Sequence, residues 1–156
     1  MTTRSSNSSV ESYARTNVQK AALIVGIVLL VVGILGFVPG VTSNVDQMQF
    51  ASDDSGALLL GVFQVSILHN IVHLLYGIAG LALARTISGA WNYLIWGGAI
   101  YLVLWLYGLI IDADSVANFV PVNTADNWLH FALGVGMIAL GLLLGRERRT
   151  AATRTP

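Results

Sequence analysis

Three histidines are the residues of this sequence whose type and spacing best suit chemistry. His69 and His73 stand four residues apart, and His130 lies in a later apolar segment. Residues four apart share one face of a helix. Imidazole nitrogens bind Zn, Cu and Fe, and the ordinary histidine pKa of about 6.5 also suits proton transfer. The three side chains are therefore candidate ligands for a metal or haem, or candidate proton carriers.

Polar neighbours accompany both histidine segments. The pattern Asn-x-x-His-x-x-x-Gly occurs twice, from Asn70 to Gly77 and from Asn127 to Gly134. Two related helical hairpins would produce this internal repeat, and chance convergence on similar helix-packing residues would also produce it. The complete set of candidate site residues is His69, His73, His130, Asn70, Asn127 and Tyr101.

Three interpretations of the histidines remain open. Neutral imidazoles can hydrogen-bond between helices, where such contacts are worth about 0.6 kcal/mol in membranes. They can hold a divalent metal or a haem, and they can handle protons or a small molecule. No acidic or lysine side chain continues a relay deeper into the apolar segments. We therefore expect a structural role that needs no cofactor, with haem or a divalent metal as the alternative.

The composition places these residues in a membrane protein. Hydrophobic residues make up 55% of the 156 positions, charged residues make up 10%, and the mean hydropathy is +0.72. Soluble domains are about one quarter charged. The absence of cysteine excludes disulfides and thiolate ligands. The few basic residues form no aromatic-laced patch, so a nucleic-acid partner is not expected.

Four apolar segments predict an all-α integral membrane four-helix bundle. The predicted helices cover about 21–38, 57–84, 91–111 and 126–145, within a transmembrane domain at 17–146. A polar N-terminal tail at 1–16 and a basic C-terminal tail at 147–156 flank that domain. At 1.5 Å per residue, even the shortest segment nearly crosses a hydrocarbon core of about 30 Å.

Charge is segregated along the chain, and this predicts the topology. All eight basic residues lie before the first predicted helix, between the second and third, or after the fourth, whereas the other two loops are acidic. The positive-inside rule then places both termini in the cytoplasm and predicts four crossings of the cell membrane. Asp112, Asp114 and Asp126 should be solvated carboxylates at the outer rim, or a weak cation site.

Helix geometry predicts that the histidines meet. His69 lies sixteen residues before Arg85, and His130 lies sixteen residues before Arg146. Both histidines should therefore lie at one depth, about 24 Å from the inner boundary. We expect the side chain of His69 or His73 to come within about 8 Å of His130, a gap that one water or ion can bridge.

Several motifs extend across the chain: Arg15-Thr-x-x-Gln-Lys, Leu35-Gly-Phe-x-Pro-Gly40, Leu68-His-Asn-x-x-His-Leu-Leu-Tyr-Gly77 and Asn123-x-Ala-Asp-Asn-Trp-Leu-His130. In these motifs the sequence resembles a family of small, uncharacterised four-helix membrane proteins that is widespread in actinobacteria. The resemblance covers roughly residues 15–145. It implies a fold and a membrane location, but no activity and no catalytic residue.

The sequence thus predicts a structural or interaction component of the cell membrane, without enzymatic activity. Its expected partners are the lipid bilayer and either another membrane protein or a second copy of the chain. The alternative is a small redox component with haem or metal, or a proton or small-molecule transport component, in which the intramembrane histidines form the site.

Overall fold

Four helices dominate the computed structural model, which describes residues 13–51, 54–111, 117 and 122–145. They are α1 (Asn17–Leu35), α2 (Ile67–Leu83), α3 (Ile87–Ile110) and α4 (Thr124–Leu144). The predicted all-α class is confirmed, with a small three-stranded sheet in addition. The predicted C-terminal tail, most of the N-terminal tail, and Asp53, Asp112, Asp114 and Arg146 lie outside the described residues.

Each helix begins at a side chain that caps it. The N-cap residues Thr16, Ser66, Thr86 and Asn123 each accept a hydrogen bond from the backbone N–H three residues later. Such a cap is worth about 1 kcal/mol because it satisfies a backbone donor that the helix leaves open. Local sequence therefore determines where each helix starts. The start of a helix in turn determines the position of every later side chain along the helix axis.

The predicted second helix at 57–84 was wrong over its first ten residues. A sheet occupies this part of the chain, with strands β1 (Thr42–Ser43), β2 (Leu58–Leu59) and β3 (Phe63–Gln64) in that order and antiparallel. The turn between β2 and β3 contains Leu60 and Gly61, both with positive φ angles, which no helix allows. We call residues 42–51 and 54–66 the cap.

The cap explains why residues 57–66 are apolar without being helical. Ala57, Leu59 and Val65 are buried in a small core of their own, against Val32 and Leu35 at the end of α1. The hydrophobic run thus covers the end of the bundle. As a result α2 has 17 residues, whereas α1, α3 and α4 are each long and apolar enough to cross a membrane.

The helices pack as two hairpins, α1 with α2 and α3 with α4. A Cβ added at Gly26 would lie 3.0 Å from the carbonyl oxygen of Gly77, and one at Gly98 would lie 2.8 Å from that of Gly134. Small residues let helix backbones approach closely where lipid supplies no hydrophobic drive between helices. These glycines therefore set the crossing point of each hairpin.

The same contacts recur in both hairpins. Gly36 lies against the side chain of Asn70, and Gly108 lies against the side chain of Asn127. Gly36 follows Gly26 by ten residues, as Gly108 follows Gly98. The repeat seen in the sequences of α2 and α4 therefore extends to their packing partners, which favours two related hairpins over chance convergence.

The outward faces of the bundle are apolar. Leu75, Trp96 and Ile110 are 61%, 66% and 80% exposed, whereas the histidines of α2 and α4 are buried. Apolar side chains outside and polar ones inside are the arrangement expected for helices surrounded by lipid.

Candidate metal centre

The three histidines form one buried cluster between the two hairpins. The Nε2 atoms of His69 and His73 are 3.2 Å apart, and the ring centroid of His130 is 6.1 Å from that of His69. One ligand nitrogen of each residue lies within 4.8 Å of the other two. None of the three side chains is more than 7% exposed. The predicted approach within about 8 Å is confirmed.

The N-cap residues of α2 and α4 position the cluster. Ser66 accepts a hydrogen bond from the backbone N–H of His69 at 3.1 Å, which places His69 in the first turn of α2 and His73 one turn later on the same face. His130 lies in the second turn of α4, whose N-cap residue is Asn123. Because α2 and α4 both start at the cap, their first two turns meet at one level.

These separations suit a small metal ion. Zinc–nitrogen bonds of about 2.0–2.1 Å place tetrahedral ligands about 3.3 Å from one another. The His69–His73 separation of 3.2 Å already matches that spacing. The remaining nitrogen would have to move inward by about 1.5 Å at most, which rotation of an imidazole ring can supply.

Two cavities adjoin the cluster, and all three histidines line both. One, of about 90 Å³, lies towards the cap and is also lined by Phe63 and Asp126. The other, of about 50 Å³, lies on the opposite side and is also lined by Tyr76 and Tyr101. Each can hold an ion or water. Neither has the several hundred Å³ that an organic cofactor fills, so the geometry does not favour the haem alternative.

Asp126 is the acidic residue of the cap-side cavity. Its Oδ2 atom accepts hydrogen bonds from the backbone N–H groups of Gln64, at 2.9 Å, and Asn123, at 3.2 Å. The prediction that Asp126 is a solvated rim carboxylate was wrong, since the residue is only 2% exposed. Its place in the capping box of α4, beneath strand β3, buries it.

The other candidates divide into two groups. Tyr101 lies beside the cluster, with its ring centroid 5.5 Å from that of His130. Asn70 and Asn127 instead pack on glycines of the neighbouring helices, and Asn70 donates a hydrogen bond to the sulfur of Met48. They lie between the two helices of each hairpin and line neither cavity.

Sequence reasoning missed Tyr76 and Asp126 as site residues. Tyr76 follows His73 by three positions, so the helical repeat already placed it on the histidine face of α2. Asp126 follows the N-cap Asn123 by three, which is the spacing of a capping box. Its burial depends on β3, which is far away in sequence, and no local signal predicts it.

The polar groups of the cluster are incompletely paired. A direct contact between His69 and His73 needs one N–H donor and one lone pair. His130 Nδ1 is buried and has no hydrogen-bond partner among the described residues. A buried, unsatisfied polar atom costs about 1–3 kcal/mol. An ion or a water molecule held at the cluster would reduce that cost.

Comparison with known proteins gives a family. A family model described as "Domain of unknown function (DUF4383)" matches residues 19–143. No curated protein and no solved structure matches the sequence. The predicted resemblance to an uncharacterised family is confirmed, while the membrane nature and the actinobacterial distribution of that family stay predictions.

Proposed function

The chain belongs to the DUF4383 family, a domain of unknown function, and we propose that it is a membrane protein that binds one transition-metal ion through His69, His73 and His130. The observation that carries this proposal is the cluster of three buried imidazoles within 4.8 Å. Imidazole is a ligand for Zn, Cu, Fe and Ni. The sequence alone favoured a structural role, and the clustering favours the metal-binding alternative.

The membrane setting follows from the faces and ends of the bundle. Three helices are long and apolar enough to cross a bilayer, and we propose that α2, about 26 Å long at 1.5 Å per residue, crosses with them. Gln19 donates hydrogen bonds to the carbonyl groups of Ala84 and Arg85, so the basic residues Lys20 and Arg85 belong to one end of the bundle. The acidic cap forms the other end.

Charge then supports an orientation in the cell membrane. Under the positive-inside rule, the end with Lys20 and Arg85 faces the cytoplasm together with both termini, and the cap faces outward. The histidine cluster lies near the capped ends of α2 and α4. We therefore place the ion in the outer half of the bundle, beneath the cap.

Burial supports a ligand-binding role more than a packing role. Ionisable groups inside a membrane are costly, and a buried one is therefore a candidate for an ion or proton site. A purely structural network would be expected to pair its members, yet His130 Nδ1 has no partner among the described residues. The competing structural role is supported by the His69–His73 contact.

Metal loading of the purified protein tests the proposal. The chain in lipid nanodiscs is incubated with zinc or copper, freed of unbound ion, and analysed by elemental mass spectrometry. We expect about one ion per chain, and His73→Phe or His130→Phe should lower the affinity at least about tenfold. Leu75→Ile is the control, because this residue is 61% exposed on the outer face of α2.

Two results would contradict metal binding. One is a wild-type protein that retains no ion. The other is equal retention by wild type and by the double variant His73→Phe/His130→Phe. A loss of thermal stability in the histidine variants, with no metal bound by wild type, would instead support the structural role.

A further inference from the structure

We infer that the ion preferred by the histidine cluster is monovalent cuprous ion, Cu(I), rather than Zn(II). This inference rests on the proposed function and specifies its ligand. It follows from the ligand set, from the charge that surrounds the cluster, and from the orientation of the two helices that carry the histidines.

The ligand set contains neutral nitrogen donors alone. The grouped ligand atoms belong to His69, His73 and His130, with no carboxylate among them, and the chain contains no cysteine. Zn(II) in proteins takes four ligands, and a three-histidine zinc site completes its shell with water. Cu(I) has the same filled d shell as Zn(II) but one charge fewer, and it is stable with three nitrogen ligands. The cluster therefore supplies all the ligands that Cu(I) needs, whereas Zn(II) would also need a water molecule held in one of the two adjoining cavities.

The surroundings disfavour a second positive charge. The electrostatic cost of moving an ion from water into a medium of low dielectric constant rises with the square of its charge, so a divalent ion costs about four times as much as a monovalent one of equal size. The rest of the lining is largely apolar, with residues such as Val72, Leu104 and Leu129. Three neutral imidazoles cancel none of the ion's charge.

One carboxylate is available to balance the ion. Asp126 is the only acidic residue among the described residues that line the two cavities. Its Oδ2 atom accepts two backbone N–H groups, an arrangement that holds the carboxylate in place. When Asp126 is ionised, its charge and that of one Cu(I) sum to zero, whereas Zn(II) with a neutral water ligand would leave an excess charge of +1 in the apolar interior.

The orientation of α2 and α4 also favours a monovalent ion over a divalent one. The N-terminal ends of α2 and α4 both lie at the cap end of the cluster, and His69 is in the first turn of α2. A helix N-terminus is equivalent to about half a positive charge, and its effect is concentrated in the first turn. These ends oppose any cation, and they oppose a divalent one twice as strongly as a monovalent one.

Competition with chelators tests the preference. The nanodisc protein is titrated without oxygen, with Cu(I) against a colorimetric chelator of Cu(I) and with Zn(II) against a fluorescent chelator of Zn(II). We expect Cu(I) to bind at least about tenfold more tightly than Zn(II), a difference that such titrations resolve readily. Zn(II) binding as tightly as Cu(I), or more tightly, would overturn the inference and leave metal binding itself intact.

The variant Asp126→Asn tests the electrostatic basis. Its amide oxygen can still accept the two N–H groups, while the charge is lost. Because a divalent ion loses twice the attraction, the affinity for Zn(II) should fall by a larger factor than that for Cu(I). Asp46→Asn, an exposed change in the cap, is the control and should alter neither affinity. Equal losses for both ions in Asp126→Asn would contradict the charge argument, and no binding of either ion by wild type would refute the proposed function itself.

Discussion

In each hairpin, one contact between an asparagine and a glycine fixes the position of one helix along the other. Asn70 fills the space beside Gly36, and Asn127 fills the space beside Gly108. Each asparagine stands three positions before a histidine of the cluster, His73 or His130. A shift of either asparagine would therefore move a histidine of the cluster, so these glycines matter to the proposed metal site without touching it.

Replacing these glycines tests the contact directly. Gly36→Ala and Gly108→Ala each place a methyl group into the asparagine side chain, and we expect a loss of about 1–3 kcal/mol in the free energy of unfolding. Gly136→Ala is the matched control, because a Cβ there meets nothing within 4 Å. Thermal unfolding in nanodiscs measures the effect. Similar midpoints for all three variants would contradict the packing described.

At this scale the sequence predicted the histidine cluster because helix geometry is local. Equal distances of His69 and His130 from basic residues gave a common depth, and the repeat of the helix gave the shared face. The burial of Asp126 could not be predicted in this way. It depends on Gln64 arriving from another element to donate its backbone N–H group.

At the scale of elements, the cap and α4 are joined by the residues that start α4. Asn123 caps the helix and also donates a hydrogen bond from its side chain to the carbonyl of Val62, at 2.7 Å. Asp126 completes the capping box and accepts the N–H group of Gln64. The β2–β3 turn and strand β3 are thus fastened over the cap-side cavity and cover the histidine cluster at that end of the bundle.

Loosening this attachment should open the site. Asn123→Ala removes the helix cap, worth about 1 kcal/mol, together with the hydrogen bond to Val62. We expect faster amide hydrogen exchange in residues 57–66 and faster release of bound metal to an external chelator. Ser43→Ala is the control, because it removes a hydrogen bond to Leu58 within the sheet and leaves α4 unchanged. Equal exchange rates in the two variants would show that the attachment to α4 does not close the cavity.

The first residue of α2 could not be predicted from the sequence. The apolar run at 57–84 has the hydropathy of one helix, and hydropathy alone does not distinguish lipid-facing residues from those that cover the end of a bundle. The positive φ angles at Leu60 and Gly61 interrupt the helix. Gly61 is a usual residue for a turn with a positive φ angle, whereas Leu60 does not predict such a turn.

At the scale of the whole molecule, the site exists only where the two hairpins meet. His69 and His73 belong to the first hairpin, and His130 and Tyr101 belong to the second. Both hairpins return from the cap with an Asn-x-x-His segment, so their association brings like segments together. A bound ion would therefore also link the two halves of the bundle across a largely apolar interface.

X-ray absorption of the copper-loaded, reduced protein tests the central claim most directly, because the spectrum reports the atoms bound to the metal. The account predicts about three nitrogen neighbours at about 2.0 Å, with the outer-shell scattering of imidazole rings and no sulfur. In His130→Phe the shell should lose one imidazole. A shell of oxygen atoms alone, or an identical spectrum in that variant, would contradict a three-histidine metal site.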